Sequence, residues 1–166
     1  MTVVEPPIVL DPVAPLLLDL VDCMCNELAV TGAGALCWCG LWPGLEVSWE
    51  YCGECGSAHC GMGFVHLVGI NPYEEFPAPV VDLRCTLPLA AQVEIGALRC
   101  LPQRVDGAVL EPAQMADVAL AQISDAWALR RSLLCCGTTY ALGEYLPVGP
   151  AGGCVGGIWT AWLALD

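Results

Sequence analysis

The chain has 166 residues, with 18 acidic side chains against five arginines and no lysine, a formal charge of −13, 57% hydrophobic residues and a mean hydropathy of +0.63. Such a balance excludes tight capture of nucleic acid, which needs cations to displace phosphate counterions. The length suits one well-buried core, so residues 1–166 read as a single domain.

The hydropathy raises the question of a membrane. Tyr145 to Leu165 is an uncharged run of 21 residues, but Pro147, Pro150 and five glycines interrupt it and no cationic cluster flanks it. No membrane partner is expected. The start, "MTVVEPPIVLDPV", carries acid and prolines where a signal peptide needs a basic and then an apolar stretch, so secretion by that route is not expected.

In chain order, the first predicted element is a helix over about 12–30. Pro12 and Pro15 suit its first turn; Val13, Leu17, Leu20, Val21, Met24 and Leu28 form an apolar face, with Asp19, Asp22 and Asn26 opposite. Cys23 and Cys25 lie two apart on it, so they cannot bond to each other, and they read as small hydrophobes. "LEVSWEYC" then alternates, predicting a half-buried strand over about 45–52. Two more strands are expected, at 63–70 ("GFVHLVGI") and 90–100 ("AAQVEIGALRC"). "NPYEEFPAP" lies between them, and "LRCTL" and Pro88 lead into the second.

Glu111-Pro112 opens a second helix over about 112–136 that stops at Gly137. Ala116, Leu120, Ile123, Trp127 and Leu134 form its apolar stripe, with Gln114, Asp117 and Asp125 away from it. Leu120, Ile123 and Trp127 are expected to pack with Leu17, Leu20 and Met24. A Gly/Pro-rich loop then leads to a strand over about 158–165, "IWTAWLAL", whose two apolar faces imply burial on both sides. The fold class is α+β: a mostly antiparallel sheet with two amphipathic helices packed on one face.

The densest chemistry lies in "CGECGSAHCG", residues 52–61. Cys52 and Cys55 have the two-residue spacing of a zinc knuckle, and Cys60 or His59 could add a third ligand. The second pair, Cys37 and Cys39, has the wrong spacing for such a site, so zinc, a disulfide involving some of Cys52, Cys55 and Cys60, and unpaired thiols all stay open. The stretch itself reads as a hairpin-like connection at the sheet edge, needing no metal and expected to contact a neighbouring subunit or a partner ring. A thioredoxin-like role would need a strand-to-helix junction, which this stretch lacks. His59 and His66 are the only histidines, and no GxSxG or HExxH pattern joins them to a nucleophile or metal, so no enzyme is expected. His66, in a strand, reads as a packed or hydrogen-bonded side chain.

The element order resembles the head-to-tail connector proteins of actinobacterial tailed phages. The resemblance rests on "WEYCGECGSAHCGMGFVHLVGINP", the "LRC" entries at 83–85 and 98–100, and the closing "PVGPAGGCVGGIWTAWLAL". Among these connectors the chain looks most like a tail terminator of a siphovirus. That resemblance implies a structural virion protein with no active site and no cofactor. It would be made in the host cytoplasm and would form a ring, taken as a hexamer, at the head-tail junction. The ring would cap the tail tube, contact the other neck connectors and the tail tube protein, and line the DNA passage without binding DNA tightly. A head-tail adaptor or stopper is the neighbouring reading within the family. A small zinc-binding or disulfide-stabilised interaction module is the reading from another class. The cysteine load and the absence of lysine depart from the usual connector.

Overall fold

The computed structural model describes residues 12–44, 46–48, 60–72, 88–102, 110–136, 139–151 and 153–165. Among these, two helices and five strands follow in the order α1 (Val13–Ala29), β1 (Trp38–Trp42), β2 (Met62–Pro72), β3 (Leu89–Cys100), α2 (Pro112–Cys135), β4 (Thr139–Ala151) and β5 (Cys154–Leu165). The strands form one mixed sheet in the order β1-β2-β3-β5-β4, in which only β1 and β2 run parallel. The α+β class and the mostly antiparallel sheet stand.

The face of α1 is as its periodicity demands. Val13, Leu17, Leu20, Val21, Met24 and Leu28 are its buried residues, and Asp19, Asp22 and Asn26 are exposed. They share one buried cluster with Val65 of β2, Ala91, Val93, Ile95 and Ala97 of β3, and Ala161, Leu163 and Leu165 of β5. The alternation along β3 follows from the pleat, which sends successive side chains to opposite faces. On the other parity, Met62, Phe64, Leu98 and Cys154 form a second cluster, which explains why the closing strand is apolar on both sides.

The second helix corrects the sequence reading. Its start is as expected, with Pro112 in the first turn and the Glu111 backbone N–H donating to Gln114 Oε1 at 3.0 Å in a capping box. Its buried residues, however, are Asp125, Ala128, Leu129, Ser132 and Leu133. The supposed core stripe points outward: Leu120, Ile123 and Trp127 are 64%, 55% and 56% exposed. They do not pack with Leu17, Leu20 and Met24. Ala128, Ser132 and the paired Asp125 let α2 lie close to its neighbours while Leu129 and Leu133 fill the core, and a second apolar stripe is left on the far side.

The strand expected over 45–52 falls mostly outside the described residues, and residues 46–48 are not in a strand. "LRCTL" and most of "CGECGSAHCG" also lie outside them. β1 was not foreseen, and neither was β4, whose Gly143, Pro147, Gly149 and Pro150 read as a loop. Among the described residues β4 is an outer strand bonded only to β5, where a missing N–H costs no ladder bond, and its register shifts three times along its length. β5 begins at Cys154 rather than 158 because its glycines serve close approach: a methyl at Gly156 would meet the Ala97 carbonyl, and one at Gly157 would meet the Tyr145 ring.

Candidate functional site

Disulfides organise the α1 side of the molecule. Cys23 bonds to Cys136 at the end of α2, and Cys25 to Cys39 in β1, with Cα–Cα distances of 6.0 and 5.9 Å. Both cysteines therefore correct the reading as small hydrophobes. The two-residue spacing that forbids a bond between them aims each at a different neighbour, so α1 is tied on one flank to α2 and on the other to β1. Cys60 bonds to Cys100 across 40 residues, at a Cα–Cα distance of 5.7 Å. Cys37 and Cys154 are disulfide-bonded as well, and Cys135 is the free cysteine among the described residues.

Of the four candidate zinc ligands, Cys52, Cys55 and His59 lie outside the described residues, and Cys60 spends its sulfur on Cys100. No group of three or more His, Cys, Asp or Glu side chains that could hold a metal ion occurs among the described residues. His66 is buried in β2: its Nε2 lies 2.5 Å from the Gly44 carbonyl, and its Nδ1 lies 3.5 Å from Glu94 Oε2. A carbonyl only accepts, so Nε2 carries the proton and Nδ1 faces the carboxylate. The Nε2–H bond to Gly44 fixes the ring, as the sequence reading expected of a strand histidine, while Nδ1 finds no hydrogen-bond partner among the described residues.

A charged node that the sequence did not disclose joins α2 to β3. Arg99 donates from Nε to Asp125 Oδ2 at 2.6 Å and from an Nη to Asp125 Oδ1 at 2.9 Å, and its other Nη reaches the carbonyls of Ala33 and Gly34 at 3.0 and 2.9 Å. Thr31 adds its hydroxyl to Asp125 at 3.3 Å. Both charged side chains are nearly buried, at 12% and 4% exposure. A bidentate pair with its spare donors satisfied is the geometry in which buried charge is tolerated. One signal was available: Asp125 shares the i, i+3, i+4, i+7 face of Ala128, Leu129 and Ser132. A cleft of about 350 Å³ adjoins the node, lined by Arg99, Gln114, Asp117, Gln122, Asp125 and Val155 among others. The guanidinium in its wall is committed to Asp125 and the two carbonyls.

On the far side of α2 lies an aromatic group. Trp127, Tyr145 and Trp159 surround a shallow depression of about 260 Å³ together with Ala126 and Arg130. The Arg130 guanidinium sits 5.4 Å from the Trp127 ring centre, Tyr145 and Trp159 are tilted against each other at 5.5 Å, and Trp159 Nε1 donates to the Ala126 carbonyl at 3.0 Å. Burial, then the charge of Asp125, push the Tyr145 phenol up to about 12, with Gln122 opposing them. Gln122 in turn donates to the Gly156 carbonyl. Along α2 this group continues into Leu120, Ile123 and Leu134, all exposed. Trp, Tyr and Arg around an apolar stripe are the side chains that dominate protein contact energies, because they bury much area with few torsions to freeze.

No helix among the described residues is long and apolar enough to cross a membrane. No known family model matches the chain, and no curated protein matches it closely enough to serve as a relative.

Proposed function

We propose that this protein is a structural ring component of a virion, a tail terminator-like connector that caps the tail tube at the head-tail junction. The observation that carries the reading is the inverted second helix. A chain that turns Leu120, Ile123, Trp127 and Leu134 outward, while a separate face of α2, with Ala128, Leu129, Ser132, Leu133 and a salt bridge, fills the core, has surface made for another protein. In this reading α1 and α2 are both laid against one face of the sheet, leaving its outer strands and the outer face of α2 for neighbours. The ring is a hexamer that adjoins the other neck connectors and the tail tube protein. Its acidic subunits repel the passing duplex, so DNA slides through without being held. The protein works in the particle by shape and has no catalytic role.

An adaptor or stopper of the same neck fits the same surface. The disulfides favour a second reading from another class, a thiol-stabilised interaction module, since bonds such as Cys23–Cys136 and Cys25–Cys39 belong to an oxidising medium. A released virion also meets such a medium. Sedimentation velocity with electron microscopy of the purified chain separates the two: closed rings of fixed subunit number support the connector, and a monomer that stays monomeric at high concentration removes it. Immunogold labelling at the neck of phage particles tests the location.

A further inference from the structure

β1 and β4 are the two outer strands of the sheet, and each side of the molecule carries an apolar patch with a charge beside it. On the β4 side, Ile123 and Trp127 are exposed on α2, and Arg130 stacks over Trp127 next to Tyr145 of β4. On the β1 side, Leu41 is exposed on β1, on the same face as Cys39, and Leu18 is exposed on α1. Asp22 stands one turn beyond Leu18, also exposed, and both share the flank of α1 that carries Cys25. The Cys25–Cys39 bond fixes that flank against β1. Cation and apolar stripe thus stand at one edge of the molecule, acid and apolar patch at the other.

We infer that the outer face of α2 docks onto the α1/β1 edge of a second copy of this chain, with Arg130 of one subunit meeting Asp22 of the next. The inference rests on the ring reading above and names its contact. Charge complementarity selects the occupant. Of the arginines among the described residues, Arg99 is bound to Asp125, Arg131 pairs with Glu27 at 2.7 Å, and Arg130 stands at the rim of the exposed stripe. An isologous contact of α2 against α2 would set Arg130 near its own copy, whereas the opposite edge offers an acid beside matching apolar side chains. Because the two patches are different surfaces on opposite edges, the contact is heterologous and repeats head to tail, the arrangement from which rings close.

The test is a charge swap on the oxidised full-length chain, read by size-exclusion chromatography with light scattering. Arg130→Asp alone and Asp22→Arg alone should each weaken self-association by about tenfold or more, the scale of close interfacial charge pairs. Mixing the two variants should restore assembly, since every contact in an alternating ring is then opposite in sign. Recovery on mixing also proves that both variants are folded. Wild-type oligomers unaffected by either substitution, or singles that fail and are not rescued by mixing, overturn this contact and leave the ring reading standing. A wild-type chain that does not associate at all overturns both, and a wild-type assembly that stops at a symmetric dimer overturns the head-to-tail contact.

Discussion

The two helices obey the same periodicity and resolve it in opposite ways. In α1 the bulkiest apolar residues go inward and the acids outward, so the stripe legible in sequence is the buried face. In α2 an apolar stripe, Leu120, Ile123 and Trp127, goes outward, and the buried face is Ala128, Leu129, Ser132 and Leu133 around the Arg99–Asp125 pair. Hydrophobic spacing therefore finds a face that water does not favour, without saying whether the rest of this chain or another molecule covers it. A helix bounded by a close neighbour needs small residues there, and α2 has them where α1, Arg131–Glu27 and the Cys23–Cys136 bond draw the helices together.

Substitutions on the two faces of α2 should break or sharpen this contrast, each measured by denaturant unfolding of the dissociated, oxidised chain. Asp125→Ala strands the Arg99 guanidinium in a nearly closed site and should cost about 3–5 kcal/mol, as for other broken buried pairs. Leu129→Ala on α2 and Leu20→Ala on α1 should each cost about 2–5 kcal/mol, because both side chains are fully enclosed and leave a cavity. Near-equal losses at these two positions would establish that α2 contributes to the core through the face that carries Leu129, as α1 does through Leu20. Replacing Cys23 by Ser frees the long loop it closes with Cys136 and should cost about 2–4 kcal/mol, a difference that vanishes when wild type and variant are compared under reducing conditions. Trp127→Ala should change stability by less than about 1 kcal/mol, the range of surface positions, while removing self-association. A loss of several kcal/mol there would return Trp127 to the core.

The smallest effect lies with Tyr145. Its folded phenol titrates near 12, above the ordinary value of 10, so the folded state keeps its proton longer than the unfolded chain does. The resulting stabilisation is fully present below about pH 10 and declines as pH rises toward 12. Tyr145→Phe should flatten the fall in stability over that window and leave the neutral range unchanged, and an unaltered slope would mean that the phenol is solvated.

What could be read beforehand divides along physical lines. Local patterns were legible: the α1 face, the Glu111-Pro112 start of α2 and the alternation of β2 and β3 all depend on neighbours in sequence. β4 was not, because Pro147 and Gly149 are breakers inside a sheet and tolerable only at an edge, and edge status is a property of the assembled sheet. The glycines at 156 and 157 looked like a loop for the same reason, since the Ala97 backbone and the Tyr145 ring that require them arrive from distant strands. For the cysteines, spacing excluded a Cys23–Cys25 bond yet could not name Cys136 or Cys39. The site candidates Cys52, Cys55 and His59 lie outside the described residues, and only Cys60, bonded to Cys100, has a geometry to compare.

The outward stripe of α2 is most directly examined by hydroxyl-radical footprinting of Trp127, with the chain in its associated and dissociated states. Trp127 should be modified readily in the dissociated protein, where it is 56% exposed, and be strongly protected in the assembly, while the fully buried Leu129 stays protected in both. Equal modification of Trp127 in the two states would mean that the outer face of α2 remains bare in the assembly, and the reading of this helix as an interface would fall.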